Sequence, residues 1–333
     1  MAPIYNMVST ILDSYRRRID YMRISVTDRC DLRCSYCTAS RFENLSHDDI
    51  LRYEEIERVV RAAAELGVKG IRLTGGEPLV RPHLDALVRI ISDIPGIEDI
   101  SLTTNATHLA KYASALKTAG LKRVNISLDT FKPERFQRIC GRNALGQTLD
   151  GISAAQEAGL YPVKTNTVVM RGVNDDEIAD FAQKSLSDGW HVRYIEEMPL
   201  TGPENTREMV SIAEIKAVIE NAFGSLEPCG PAAGLGPAKY YRLKGASGTV
   251  GFIAPMTHAF CEDCNRLRLT ADGKLRLCLL RDDEVDLRSA IRRGADLAEL
   301  KDLLLKAAQL KKERYDLAGK ASGLERQMWQ IGG

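Results

Sequence analysis

The sequence has no apolar run approaching the roughly 18 residues that a membrane-spanning helix needs, so an integral helical membrane protein is excluded. It also lacks a surplus of either charge: 46 Lys and Arg stand against 45 Asp and Glu, leaving +1. That balance argues against a nucleic-acid binder working by bulk phosphate attraction, and any anion the protein holds must be held by a local cluster. No secretory leader is expected either, because Arg16, Arg17 and Arg18 follow the short apolar run near the N-terminus and no small-residue cleavage site comes after them. The expectation is a cytoplasmic protein. Its 333 residues, 44% hydrophobic with a mean hydropathy of −0.21, suit a soluble chain of about two domains, or one barrel with an extension.

Against these absences stand eight cysteines, six of them in two tight groups: Cys30, Cys34 and Cys37, then Cys261, Cys264 and Cys278. In a chain with no secretion signal such groups read as metal or cluster ligands before disulfides. Cys140 and Cys229 fall outside both groups and read as small apolar residues.

From Met22 to Glu196, short β-branched runs alternate with longer amphipathic ones. Strands are expected at 22–27, 70–74, 100–104, 122–128, 163–169 and 191–196, with helices at 53–66, 83–94, 108–119, 145–158 and 175–186. Ile56, Val59, Val60 and Ala63 share one helical face, and Gly67 supplies a C-cap. Repeated βα units predict a parallel sheet with right-handed crossovers. Six strands fall short of the eight of a full barrel, which leaves an open sheet or an incomplete barrel. A Gly-, Pro- and Ala-rich stretch from Cys229 to Pro237 places a boundary ahead of it, dividing the chain into 1–225 and 226–333. Beyond it come a hairpin, Leu267–Thr270 and Leu275–Cys278 around Ala271-Asp272-Gly273, and two charged helices ending at Leu310.

Cys30-Asp31-Leu32-Arg33-Cys34-Ser35-Tyr36-Cys37 follows the first strand directly, so one loop can gather three thiolates. A [4Fe-4S] cluster with one open iron suits that number, whereas structural zinc wants a fourth ligand and the nearest histidine is His47. Gly75-Gly76-Glu77-Pro78 lies at the C-terminal end of the second strand, the face where parallel βα folds place their sites; the paired glycines admit close approach of a ligand, or simply form a turn. Cys261, Cys264 and Cys278 are a second trio, for which zinc completed by His258 is a rival. Arg266 and Arg268, two residues apart on a strand, share a face and suit phosphate, or are a solvated surface.

The C-x3-C-x2-C run with an aromatic before its last cysteine resembles the radical S-adenosylmethionine (SAM) superfamily. The segments Arg23–Cys30, Thr74–Leu79, Asn125–Thr130 and Asn166–Asn174 sharpen that resemblance to the GTP 3′,8-cyclase family of molybdenum cofactor biosynthesis, from about residue 20 to the end of the chain. The resemblance implies an α/β fold, an incomplete (β/α)6 barrel whose open side is closed by a C-terminal extension, and two [4Fe-4S] clusters, one on each trio. It implies SAM contacts at Tyr36, Gly76, Ser127 and Met198, and GTP contacts at Arg23, Arg72, Thr103, Lys164, Arg193, Arg266 and Arg268. A tail ending in Gly332 and Gly333 is implied to reach into the barrel and help position the substrate. The implied activity is that of a lyase: a 5′-deoxyadenosyl radical removes the 3′ hydrogen of GTP, the C3′ radical attacks C8, and reduction gives 3′,8-cyclo-7,8-dihydroguanosine triphosphate. Implied partners are an electron donor, a second copy in a homodimer, and the downstream cyclic pyranopterin monophosphate synthase. The chain departs from the family pattern at Gly70, where a lysine is usual, at Ala106, where glycine is usual, and at Tyr15–Arg18, where Gly-Arg is usual. The rival readings are a radical SAM enzyme that modifies a peptide and a zinc-dependent binding module.

Overall fold

The computed structural model describes residues 10–37, 44–198, 208–234, 236–315 and 325–332. Six parallel strands form its centre: β1 (Tyr21–Ser25), β2 (Gly70–Thr74), β3 (Asp99–Thr104), β4 (Arg123–Ser127), β5 (Val163–Val169) and β6 (His191–Glu196). Between them run α1 (Tyr53–Glu65), α2 (Leu84–Ser92), α3 (Leu109–Thr118), α4 (Pro133–Cys140), α5 (Leu145–Glu157) and α6 (Ile178–Ser187), followed by α7 (Ile212–Phe223). The C-terminal region adds β7 (Glu227–Cys229), β8 (Lys239–Arg242), β9 (Thr249–Ile253), β10 (Arg266–Leu269), β11 (Lys274–Arg276) and β12 (Glu284–Asp286), then α8 (Arg288–Arg292), α9 (Leu297–Leu310) and a final turn at Met328–Ile331.

These strands make one sheet in the order β12-β11-β10-β1-β2-β3-β4-β5-β6-β9-β8-β7. The C-terminal region therefore enlarges the barrel wall at both edges, with β10 parallel to β1 and β9 parallel to β6. The outer strands pair antiparallel, and the sheet stays open where the sequence reading expected the extension to close it. The strands that settle this are three to five residues long, too short to carry a strong period-two pattern.

The central strands are buried on both faces, yet they alternate. Met22, Ile24, Ile71, Leu73, Leu102, Val124 and Ile126 belong to the apolar core. The residues between them face the other way and are polar: the register sets Arg268 beside Arg23, Arg23 beside Arg72, Arg72 beside Ser101, and Ser101 beside Arg123. A parallel barrel ordinarily fills its interior with branched apolar side chains. A buried row of guanidinium groups in their place makes this interior a site.

Candidate active site

A cavity of about 310 Å³ opens inside the curved sheet, and both cysteine trios lie on its wall. The first trio sits on the loop after β1. That loop is clamped to the end of α4 by Arg33 N–H on Cys140 O (2.8 Å) and Ser35 N–H on Ile139 O (2.9 Å). Asp31 ties it to the loop after β3, accepting from Asn105 Nδ2 and Thr107 Oγ1 at 2.8 Å each. Gly75 and Gly76 cross this segment so closely that a Cβ on Gly75 would lie 2.6 Å from Thr27 O, and one on Gly76 would meet the Arg29 carbonyl. The glycines thus serve the approach of two backbones, and Gly76 N–H donates to Thr27 O at 2.8 Å. Burial pushes the Cys30 thiol up to about 12 and raises Cys37 as well; a bound metal reverses that preference by taking the thiolates directly. The Cys37 sulfur also accepts the backbone N–H of Trp329, from the final turn.

Tyr36, Gly76, Ser127 and Met198, the residues expected to contact SAM, all line the cavity. Around them stand carboxyl groups. Asp129 accepts from Tyr36 Oη at 2.7 Å and Glu197 lines the same wall, while burial lifts Asp129 to about 6 and the more deeply placed Glu77 to about 7.

The second trio lines the same cavity, beside Arg266 and Arg268. Arg17 donates through Nη1 to Cys261 O (2.7 Å) and Glu313 O (2.8 Å) and through Nη2 to Lys312 O (2.7 Å), and so supplies a strut for this loop. Burial opposes the Cys264 thiolate, yet Lys311 and Arg266 hold its pKa below the ordinary thiol value. His258 does not line the cavity. Among the described residues no three His, Cys, Asp or Glu side chains are drawn together as for a single ion. Each trio of soft donors borders open space instead, and that suits a multi-iron cluster.

Six of the seven expected GTP contacts, Arg23, Arg72, Thr103, Arg193, Arg266 and Arg268, line the cavity. Burial lowers the pKa of Arg23, and repulsion by Arg268, Arg72 and Arg266 lowers it further. Burial likewise brings Arg193 and Arg268 to about 10. Positive charges crowded this way favour an anion among them. The seventh, Lys164, is held away from the cavity: its Nζ donates to Ala233 O beneath Tyr240, and burial lowers it to about 6. Gly70 places no side chain here, and Lys69 turns outward to pair with Glu98 at 2.7 Å. Ala106 adopts φ +64, the left-handed conformation that explains the family's preference for glycine.

Gly332 is enclosed by Ser25 and Thr74, and its carbonyl accepts from Thr74 Oγ1 (3.2 Å) and Arg268 Nη1 (3.4 Å). Gly333 lies outside the described residues. The sequence reading missed Asp129, Asn166, Lys311 and Trp329 on the wall. Asp129 and Asn166 could have been found, since each stands two positions from an expected contact, Ser127 or Lys164; Lys311 and Trp329 carry no such signal.

The Radical SAM superfamily profile matches residues 24–184, and the Molybdenum Cofactor Synthesis C profile matches residues 190–317. The chain is 51% identical over 324 residues to the GTP 3′,8-cyclase of Pelotomaculum thermopropionicum, covering 96% of this chain and 99% of that protein. The chain belongs to the GTP 3′,8-cyclase family. Its relative from Moorella thermoacetica is 49% identical, over 96% of this chain and 99% of that one. Among solved structures, SuiB of Streptococcus suis bound to S-adenosylmethionine superposes with a TM-score of 0.61 at 14% identity, over 82% of this chain and 64% of that chain, a likeness of fold. Among the described residues no helix is long and apolar enough to cross a membrane.

Proposed function

We propose that this member of the family converts GTP to 3′,8-cyclo-7,8-dihydroguanosine triphosphate for molybdenum cofactor biosynthesis. One observation carries the substrate: the buried row Arg23, Arg72, Arg266 and Arg268, with Arg193 opposite, lies in the same cavity as both thiol trios. Cys30, Cys34 and Cys37 hold the first [4Fe-4S] cluster, and Cys261, Cys264 and Cys278 hold the second. When bound, the first cluster supplies the electron that splits SAM to methionine and the 5′-deoxyadenosyl radical, which takes the 3′ hydrogen of GTP.

The chain's part is position. Tyr36, Gly76, Ser127 and Met198 hold SAM on the negative side, where Asp129 and Glu197 favour a sulfonium and an ammonium group. The guanidinium row holds the triphosphate through charge-assisted, forked hydrogen bonds, so the ribose lies between the two trios and the base toward the second. Thr103 and Arg193 fix the nucleotide laterally, and Lys164 joins them by leaving Ala233. Gly332 keeps Arg268 aimed inward, and the enclosing wall keeps water from the radical. Residues 1–225 carry radical generation and 226–333 the second trio, the arginine strand and the tail. An external one-electron donor, a homodimeric state, a cytoplasmic setting and delivery of product to cyclic pyranopterin monophosphate synthase complete the proposal.

The test is anaerobic metal and sulfide analysis together with product analysis. About eight irons per chain, no zinc, and GTP consumed with SAM are expected. Stoichiometric zinc, or consumption of a peptide in place of GTP, overturns the reading.

A further inference from the structure

Cys140, which the sequence reading set aside as a small apolar residue, is the last residue of α4 and lies against the first thiol loop. Its side chain shares a hydrogen bond with the Cys34 thiol. The two segments are locked in that register by Arg33 N–H on Cys140 O and Ser35 N–H on Ile139 O, at 2.8 and 2.9 Å. Gly141 extends the lock, because its φ of +80 ends the helix and a Cβ there would stand 3.1 Å from Arg33 Cβ. Cys140 is 5% exposed and absent from the cavity wall, whereas Cys34 is on it. One thiol of the pair therefore faces the cavity, and the other lies behind it.

We propose that Cys34 and Cys140 form a disulfide when the first site is empty and a low-molecular-weight disulfide is present, so that oxidation withdraws one ligand from the site until a thiol restores it. Cys34 attacks one sulfur of the small disulfide, forming a mixed disulfide and releasing one small thiol. Cys140 then attacks the Cys34 sulfur and releases the second. Two protein thiols are oxidised, one small disulfide is reduced to two thiols, and the two protons leave with them. Cys30 and Cys37 remain reduced, because neither has a second thiol locked beside it outside the cavity.

The pairing does not depend on the proposed reaction; only the reloading arm rests on Cys34 being a cluster ligand, so the two can fail separately. The full chain is stripped of iron anaerobically with a chelator, treated with oxidised glutathione, alkylated without reduction, digested and mapped by mass spectrometry. A joined Cys34 and Cys140 peptide is expected, with Cys30 and Cys37 alkylated. Iron and sulfide should then fail to restore the first cluster's spectroscopic signal until dithiothreitol is added. In Cys140→Ser and Cys140→Ala, glutathione should stay on Cys34 as a mixed disulfide. Alkylated Cys140 in the oxidised parent, or a Cys34 link to Cys30 or Cys37, overturns the pairing. Reloading of the oxidised parent without a thiol overturns its consequence.

Discussion

The two cysteine trios use the same ligand chemistry in opposite electrostatic surroundings. Near the first, Asp31, Glu77 and neighbouring thiols all work against a thiolate, and Asp129 and Glu197 stand on the adjoining wall. Near the second, Lys311 and Arg266 favour the Cys264 thiolate, while burial and the neighbouring thiols raise Cys261. In the proposed reading, the carboxyl-lined end of the cavity takes the cationic guest, SAM, and the arginine-lined end the anionic guest, GTP. The mechanical settings differ as well. The first loop is pinned by the parallel sheet and α4, while the second hangs on Arg17 and the residues after α9.

The sharpest break of this comparison is loss of a first-trio ligand. Cys30→Ala, Cys34→Ala or Cys37→Ala should abolish both SAM cleavage and GTP conversion; 5′-deoxyadenosine still formed by Cys34→Ala contradicts the division of labour. Cys261→Ala should lose GTP conversion but keep some SAM cleavage, and equal loss of both would merge the two sites into one function. Deleting Gly332 and Gly333 should lower anaerobic turnover strongly while iron content and Tm hold, since the tail meets Arg268 and Thr74 without belonging to the apolar core. Arg266→Ala and Arg268→Ala should each weaken GTP by about 1.5–3 kcal/mol, the range for hydrogen bonds to charged groups, and leave SAM affinity unchanged in a titration.

The smallest effect is one of pH. Lys164 is lowered from 10.5 to about 6 in the folded chain, so between those values the unfolded chain binds more protons and stability of the empty protein rises with pH. Binding of GTP should take up a proton there as Lys164 regains its charge. Calorimetry in two buffers of different ionisation enthalpy measures this, and an uptake equal in Lys164→Met and the parent removes Lys164 from the site.

Much of the site was legible because its signals are local. Two residues of spacing put Arg266 and Arg268 on one face, and the bounds of β2, β5 and β6 were read directly from their patterns. What escaped is long-range or disguised. α4 is not among the expected helices, although Pro133 at its start is a helix-opening signal, and α7 announces itself only through the Ser211–Glu214 capping box. No local pattern reveals that β10 runs parallel to β1, that Ala233 reaches Lys164, or that Cys140 stands behind Cys34.

The strict alternation along β1, β2 and β10 has an evolutionary consequence. Met22 and Arg23 are chain neighbours, yet one answers to packing and the other to the guest, and the same holds for Ile71 and Arg72 and for Leu267 and Arg268. Selection can therefore rewrite every second residue of these strands, and so exchange a triphosphate for another substrate, while the intervening residues preserve the scaffold. A fold partitioned this finely offers new chemistries a starting point from which stability need not first be rebuilt.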